Sequence, residues 1–122
     1  MSRLACLFPL VLLAGCASAG GARTLAPGSD ATLAPGDAVT LPDASQLTYV
    51  GTTADSRCRP DVQCIHAGSA TVAFRHATGA SSREVRIDTR DGRAELGDWR
   101  LTLVSLDFAS PPNATVRVDA VR

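Results

Sequence analysis

The sequence predicts an all-β domain, a small antiparallel sandwich or barrel of six to seven short strands carrying one disulfide-closed loop. Two observations carry this. From Ala38 onward apolar residues recur with period two, separated by Gly, Pro, Asn and Asp turn signals, and no window offers helical spacing of useful length. Two cysteines, Cys58 and Cys64, also lie close together in a chain whose first residues read as an export signal. At 122 residues there is room for one domain and one modest core.

The elements follow in order. Ala38 to Leu41 alternates around Val39 and Leu41 and stops at Pro42-Asp43. Gln46 to Thr53 places Leu47 and Tyr49 on one face before Gly51. After the cysteine loop, Ala70 to His76 turns Val72 and Phe74 inward and Thr71 and Arg75 outward, with His76 read as a strand-end residue. A polar loop from Ala77 to Ser82 leads to Glu84 to Thr89, where Val85 and Ile87 face in. Asp91-Gly92 is a turn signal that predicts Arg93 to Leu96 as the returning arm of a hairpin.

After Gly97-Asp98 comes the longest apolar run, Trp99 to Phe108. Trp99, Leu101 and Leu103 share one parity and Val104, Leu106 and Phe108 the other. One strand cannot bury both sets against one layer, so a bulge or change of sheet is expected near Val104-Ser105. The loop Ser110 to Asn113 precedes a last strand, Ala114 to Val121, with Val116 and Val118 inward. Some fifteen apolar side chains at roughly 1.5 to 3 kcal/mol each make a small core, for which a covalent staple matters.

The N-terminal segment supplies an address. Arg3 is followed by an apolar stretch, Leu4 to Ala14, too short to span a bilayer, and it ends Leu13-Ala14-Gly15-Cys16. This run resembles the lipobox of bacterial lipoproteins. The resemblance implies a signal peptide over residues 1–15, cleavage before Cys16, and acylation of Cys16, whose long chains hold a protein on a membrane at roughly 0.8 kcal/mol per buried methylene. Ala17 stands where Asp favours inner-membrane retention, so attachment to the outer membrane, facing the periplasm, is expected. Residues 16–37, rich in Gly, Ala, Pro, Ser and Thr, read as the lipidated cysteine and a flexible spacer, and 38–122 as the β domain. The spacer contains a short repeat, Thr24-Leu-Ala-Pro-Gly and Thr32-Leu-Ala-Pro-Gly.

On that reading Cys6 leaves with the signal and Cys16 carries lipid, so Cys58 and Cys64 remain. In an oxidising compartment they pair, and closing so short a loop stabilises by roughly 2 to 2.5 kcal/mol in the loop-entropy model. Pro60 stiffens the turn, and Gly68 offers positive φ where the loop rejoins the sheet. The alternative is a copper or zinc site built from reduced Cys58, Cys64 and His66, with His76 as a fourth ligand. It lacks Cys-x-x-Cys spacing, a Met-rich run and a second cysteine pair.

The run Asp55-Ser56-Arg57-Cys58, Val62, Cys64, Ala67-Gly68 is similar to a motif of small bacterial lipoproteins and secreted domains. These commonly read DSRCP, five residues between the cysteines, then CxWAG. Here Arg59-Pro60 displaces the proline by one and His66 stands where Trp is usual. The resemblance extends over Leu47 to Phe74 and implies a β fold with a closed loop.

Other function classes find little footing. The formal net charge is zero and all twelve basic residues are Arg, without a basic cluster, so no nucleic-acid partner is expected. His66 with Asp55, Ser56 or Asp61 is the best catalytic grouping, but there is no nucleophile elbow, metal-hydrolase histidine pair or phosphate-binding glycine loop. The expectation is therefore a non-catalytic envelope protein without a cofactor. It is held to a membrane by its lipid and presents the loop to an envelope protein or small ligand through Arg57, Arg59, Asp61 and His66.

Overall fold

A computed structural model describes residues 23–121. The signal peptide, Cys16 and the first part of the expected spacer lie outside the described residues. Among the described residues nine strands, not six to seven, form two sheets packed face to face. They are β1 (Arg23–Thr24), β2 (Asp30–Leu33), β3 (Ala38–Thr40), β4 (Gln46–Asp55), β5 (Ala70–Thr78), β6 (Ser81–Asp88), β7 (Arg93–Leu96), β8 (Trp99–Leu106) and β9 (Ala114–Ala120). One sheet has the order β1-β3-β4-β5-β6 and the other β2-β9-β8-β7; β1 and β3 pair in parallel, and the other pairs among the described residues are antiparallel.

The two additional strands fall in the stretch expected as a flexible spacer, and the repeat explains why. In each copy the leucine is buried in the core, Leu25 and Leu33, and the Ala-Pro-Gly that follows makes the same turn. Ser29 N donates to Ala26 O (3.1 Å) and Asp37 N to Ala34 O (2.9 Å), with Gly28 and Gly36 both at positive φ. Each turn glycine then docks on a different sheet, Gly28 N on Val118 O and Gly36 N on Tyr49 O. A low-complexity composition thus conceals two leucine plugs, each contributing on the order of 1.5 to 3 kcal/mol on burial. The folded domain includes Arg23 and does not start at Ala38.

The remaining period-two readings hold in substance. Leu47, Tyr49, Val72, Phe74, Val85 and Ile87 from one sheet meet Leu96, Leu101, Leu103, Val116 and Val118 from the other. The register of β8 on β9 slips between Leu103 and Ser105, which leaves Val104 exposed and returns Leu106 to the core side. That is the bulge the two parities of this run require. Two expectations are corrected. The Ala77 to Ser82 segment is a tight turn at Gly79-Ala80 between β5 and β6, because both strands extend to meet at Thr78 and Ser81. Arg93 to Leu96 does not fold back on β6 but crosses to the other sheet and pairs with β8. Its turn is closed by Gly92 N on Asp88 O, and Gly92 O then accepts Leu103 N, which hands the chain from one layer to the next.

The strands define two poles. The segment 56–69 lies at the pole where Asp55 pairs with Ala70, here the loop pole. The β3–β4, β5–β6 and β7–β8 turns lie at the other, the turn pole. The β3–β4 turn holds Ala44 at φ 67°, with Leu41 N donating to Ser45 O and Ala44 N to Leu41 O. This left-handed conformation costs a residue with a Cβ about 1 to 2 kcal/mol. Ala44→Gly should therefore raise the unfolding free energy by about 1 kcal/mol. The check is a higher urea midpoint at unchanged slope.

Candidate functional site

The expected site begins where β4 runs out. Two register shifts, between Tyr49 and Gly51 and between Thr52 and Ala54, bend the end of β4 on β5 as it enters the loop. Asp55 then turns back on its own chain, its Oδ1 accepting from Arg57 N (3.1 Å) and Nε (3.0 Å) and its Oδ2 from Arg57 Nη2 (2.8 Å). The same guanidinium donates through Nη1 to Leu106 O (2.6 Å) and through Nη2 to Asp107 O (2.8 Å), and it stacks 4.2 Å from the Phe108 ring centroid. Arg57 therefore ties the loop, which grows from one sheet, to the end of β8 in the other.

Its side chain is only 11% exposed. The Asp55 carboxylate holds the Arg57 guanidinium even more firmly charged than usual, while hydrogen bonds from Arg57, opposed by burial, keep Asp55 below the ordinary carboxylate range. Arg57 was expected as a contact residue; the structure turns it inward, because two carbonyls and a carboxylate at the sheet ends need its planar donors.

The other motif residues serve the same base. Ser56 N donates to Ser69 O (2.8 Å), Ser56 Oγ donates to the same carbonyl, and Ser69 N returns a bond to Ser56 Oγ. Gly68 packs so closely on the Ser56 carbonyl that a Cβ there would overlap it. Its φ is not positive, so the expected conformational role of Gly68 is replaced by a steric one. Cys58 and Cys64 are bonded to each other with their Cα atoms 5.8 Å apart. Within the ring Val62 N donates to Arg59 O.

Above this fixed base the tip is uncovered. Arg59, Asp61, Gln63 and His66 are exposed, as are two aliphatic side chains, Val62 at 53% and Ile65 at 95%. Val62 and Ile65 are tip residues outside the expected polar set of Arg59, Asp61 and His66. Their signal was present, since two aliphatic residues flank Cys64 in a loop with no alternating partner strand. Beside the base, Arg57 and Phe108 border a shallow groove lined by Thr89, Leu103, Val104 and Leu106.

The metal alternative loses its ligand set in this arrangement. Its sulfurs are joined to one another and are not thiolates, and His76 stands at the turn pole, six register positions along β5 from Ala70 or about 20 Å away. Among the described residues no three of His, Cys, Asp and Glu converge in a metal-holding geometry.

A second polar cluster, not expected from the sequence, joins His76, Ser45 and Asp43 at the turn pole. His76 shares the parity of Val72 and Phe74 and is buried with them. Its Nε2 lies 2.9 Å from Ser45 Oγ, and Ser45 Oγ is 2.5 Å from Asp43 Oδ1. Since the carboxylate can only accept, the Ser45 proton goes to Asp43, and Ser45 accepts from His76 Nε2–H. Serine thus sits between the acid and the base, the wrong order for a nucleophile activated by histidine. The cluster closes the β3–β4 turn.

Burial lowers the His76 pKa, Asp43 opposes and Arg83 assists. For a base whose folded pKa is depressed, the unfolded chain binds more protons as pH falls below the ordinary histidine value of about 6.5. Stability is therefore fully present above that value and declines as pH drops toward the lower folded pKa. Urea midpoints measured from pH 7.5 down to 5 should fall for the native chain, and His76→Gln should flatten this part of the curve. A parallel curve for His76→Gln would refute the assignment.

Comparison with models of known families, with curated proteins and with solved structures finds no match to this chain. The 55–68 motif is therefore read through its own geometry, and that geometry makes Asp55, Ser56, Arg57, Cys58, Cys64 and Gly68 parts of a support. What the support holds out is the tip.

Proposed function

We propose that this chain is a non-catalytic lipoprotein of the bacterial envelope, anchored through Cys16 at the outer membrane and facing the periplasm. Its β domain presents the Cys58–Cys64 loop to an envelope protein or a small ligand. One observation carries the binding reading: the loop is cross-braced at its base, by the disulfide and by Arg57, while Ile65 at its tip is 95% exposed. An isolated exposed aliphatic residue is ordinary, but Val62 and Ile65 on a braced loop form a contact element whose ordering cost is already met in the fold. Arg59, Asp61 and His66 flank them as polar contacts; Arg57 acts from beneath. The address rests on the lipobox at Leu13 to Cys16.

The test is photocrosslinking in intact cells from a probe at Arg59. A discrete crosslinked species that is lost with Ile65→Asp is the expected result, and absence of any specific product would overturn the binding role. Cys16→Ser should move the protein to the soluble fraction, and unchanged membrane fractionation would overturn the anchor.

A further inference from the structure

Among the described residues the two sheets end in four edge strands, and one is unlike the rest. β1 has two residues and β2 and β7 four each, whereas β6 runs for eight, from Ser81 to Asp88. Long edges are ordinarily blunted by proline, a bulge or repelling charge. β6 contains neither proline nor glycine, and its register on β5 is unbroken from Thr71 opposite Asp88 to Thr78 opposite Ser81.

The hairpin decides which backbone groups face out. With two residues in the turn, Thr78 and Ser81 form a hydrogen-bonded pair, so residues 81, 83, 85 and 87 bond to β5 and residues 82, 84, 86 and 88 direct their backbone groups to the open edge. Asp88 shows the rule, since its outward carbonyl accepts from Asp91 N and Gly92 N in the next turn. Among the described residues no backbone group takes up those of Ser82, Glu84 and Arg86.

The side chains decide which strand this edge accepts. Glu84 and Arg86 stand exposed on the same outer face, where Arg86 Nε donates to Glu84 Oε1 (3.0 Å). An antiparallel second β6, with its two-fold axis at Val85, sets Glu84 opposite Arg86 of the second copy and Arg86 opposite its Glu84. Both are pairs of outward-facing backbone groups, and Val85 meets its own copy at the position between them. An axis at Glu84 or Arg86 sets like charges face to face, and one at Arg83 leaves Arg86 beyond the pairing strand. Charge of one sign would protect this edge. Opposite charges two residues apart make it self-complementary.

We propose that β6 is a self-association edge, at which two copies of this chain join antiparallel through Glu84 and Arg86 into one continuous sheet. The two Cys58–Cys64 loops then stand at opposite ends of the joined strands, because the Asp88 end of each lies beside Ser82 of the other. The pairing depends neither on the anchor nor on what the loop binds.

Equilibrium sedimentation of the full-length chain, in density-matched detergent with micelles in excess, counts copies per particle. The native chain should be dimeric. Glu84→Arg alone and Arg86→Glu alone each replace attraction with repulsion in both pairs and should weaken association by about thirty-fold. Mixed together, these two variants should pair with each other, since one brings Arg at both positions and the other Glu. The double variant, Glu84→Arg with Arg86→Glu, should dimerise as the native chain does. Unchanged urea midpoints report intact folds at these exposed positions. Should either reversal lower the midpoint, Glu84→Gln and Arg86→Gln carry the test, each with a smaller loss of association. A native chain with one copy per particle at every loading overturns the proposal. So does a dimer that withstands the reversals, or reversal variants that stay apart when mixed.

Discussion

Arg57→Ala should destabilise the domain by about 3 kcal/mol, an effect large against a net stability on the order of 5 to 10 kcal/mol. The substitution removes donors to Leu106 O, Asp107 O and both oxygens of Asp55, and it uncovers one face of Phe108. Charge-assisted hydrogen bonds contribute roughly 1.5 to 3 kcal/mol each in isolation, but they share one guanidinium and are not additive. The Asp55 carboxylate is a third exposed, so water recovers part of its loss. The two carbonyls at the end of β8 recover less. Arg57→Lys should restore under half of the difference, because one ammonium cannot serve a carboxylate and two carbonyls in a plane. Urea denaturation measures both. A loss below about 1 kcal/mol would show that the bridge between the sheets contributes little.

How much of this was legible in the sequence depends on what each residue had to contact. Period-two alternation from β4 to β9 reads directly because one face of each strand is buried, and the parity switch at Val104 exposed its own bulge. The disulfide was a matter of counting cysteines under an assumed address. The β1–β2 region was opaque because its strands are two and four residues long, too short for alternation to register, and its two buried leucines sit among Ala, Pro and Gly. Arg57 was misplaced for another reason. An exposed arginine on a loop is the default, and what overrides it is a pair of carbonyls some fifty residues away that no local pattern can announce. His76 was within reach, since its parity with Phe74 places it inside, but its partner Ser45 belongs to a turn that reads only as punctuation.

Gly68→Ala tests the same base from the other strand and separates two explanations of the glycine. Gly68 lacks the positive φ that would make any side chain strained, so a conformational account predicts little change. The close approach predicts a large one. A Cβ at this position meets the carbonyl of Ser56, a backbone atom that cannot swing aside. Relief requires the two arms of the loop to part, which breaks the three Ser56–Ser69 hydrogen bonds and pulls on Arg57 one residue away. Overpacking of this kind costs about 1 to 3 kcal/mol, and the lost bonds add to it, so the total should approach that of Arg57→Ala. Ser56→Ala in the same chain should give no rescue, because the obstructing oxygen belongs to the backbone and survives the change. Recovery in the double variant would instead assign the clash to the Ser56 hydroxyl. The loop should respond before the core does: proteolysis within 57–67 should rise in Gly68→Ala while the near-ultraviolet signal of the packed Tyr49 and Phe74 pair persists. A loop whose base has parted should also lose the Arg59 crosslink at unchanged membrane attachment, which connects the stereochemistry of one glycine to the presentation of Val62 and Ile65.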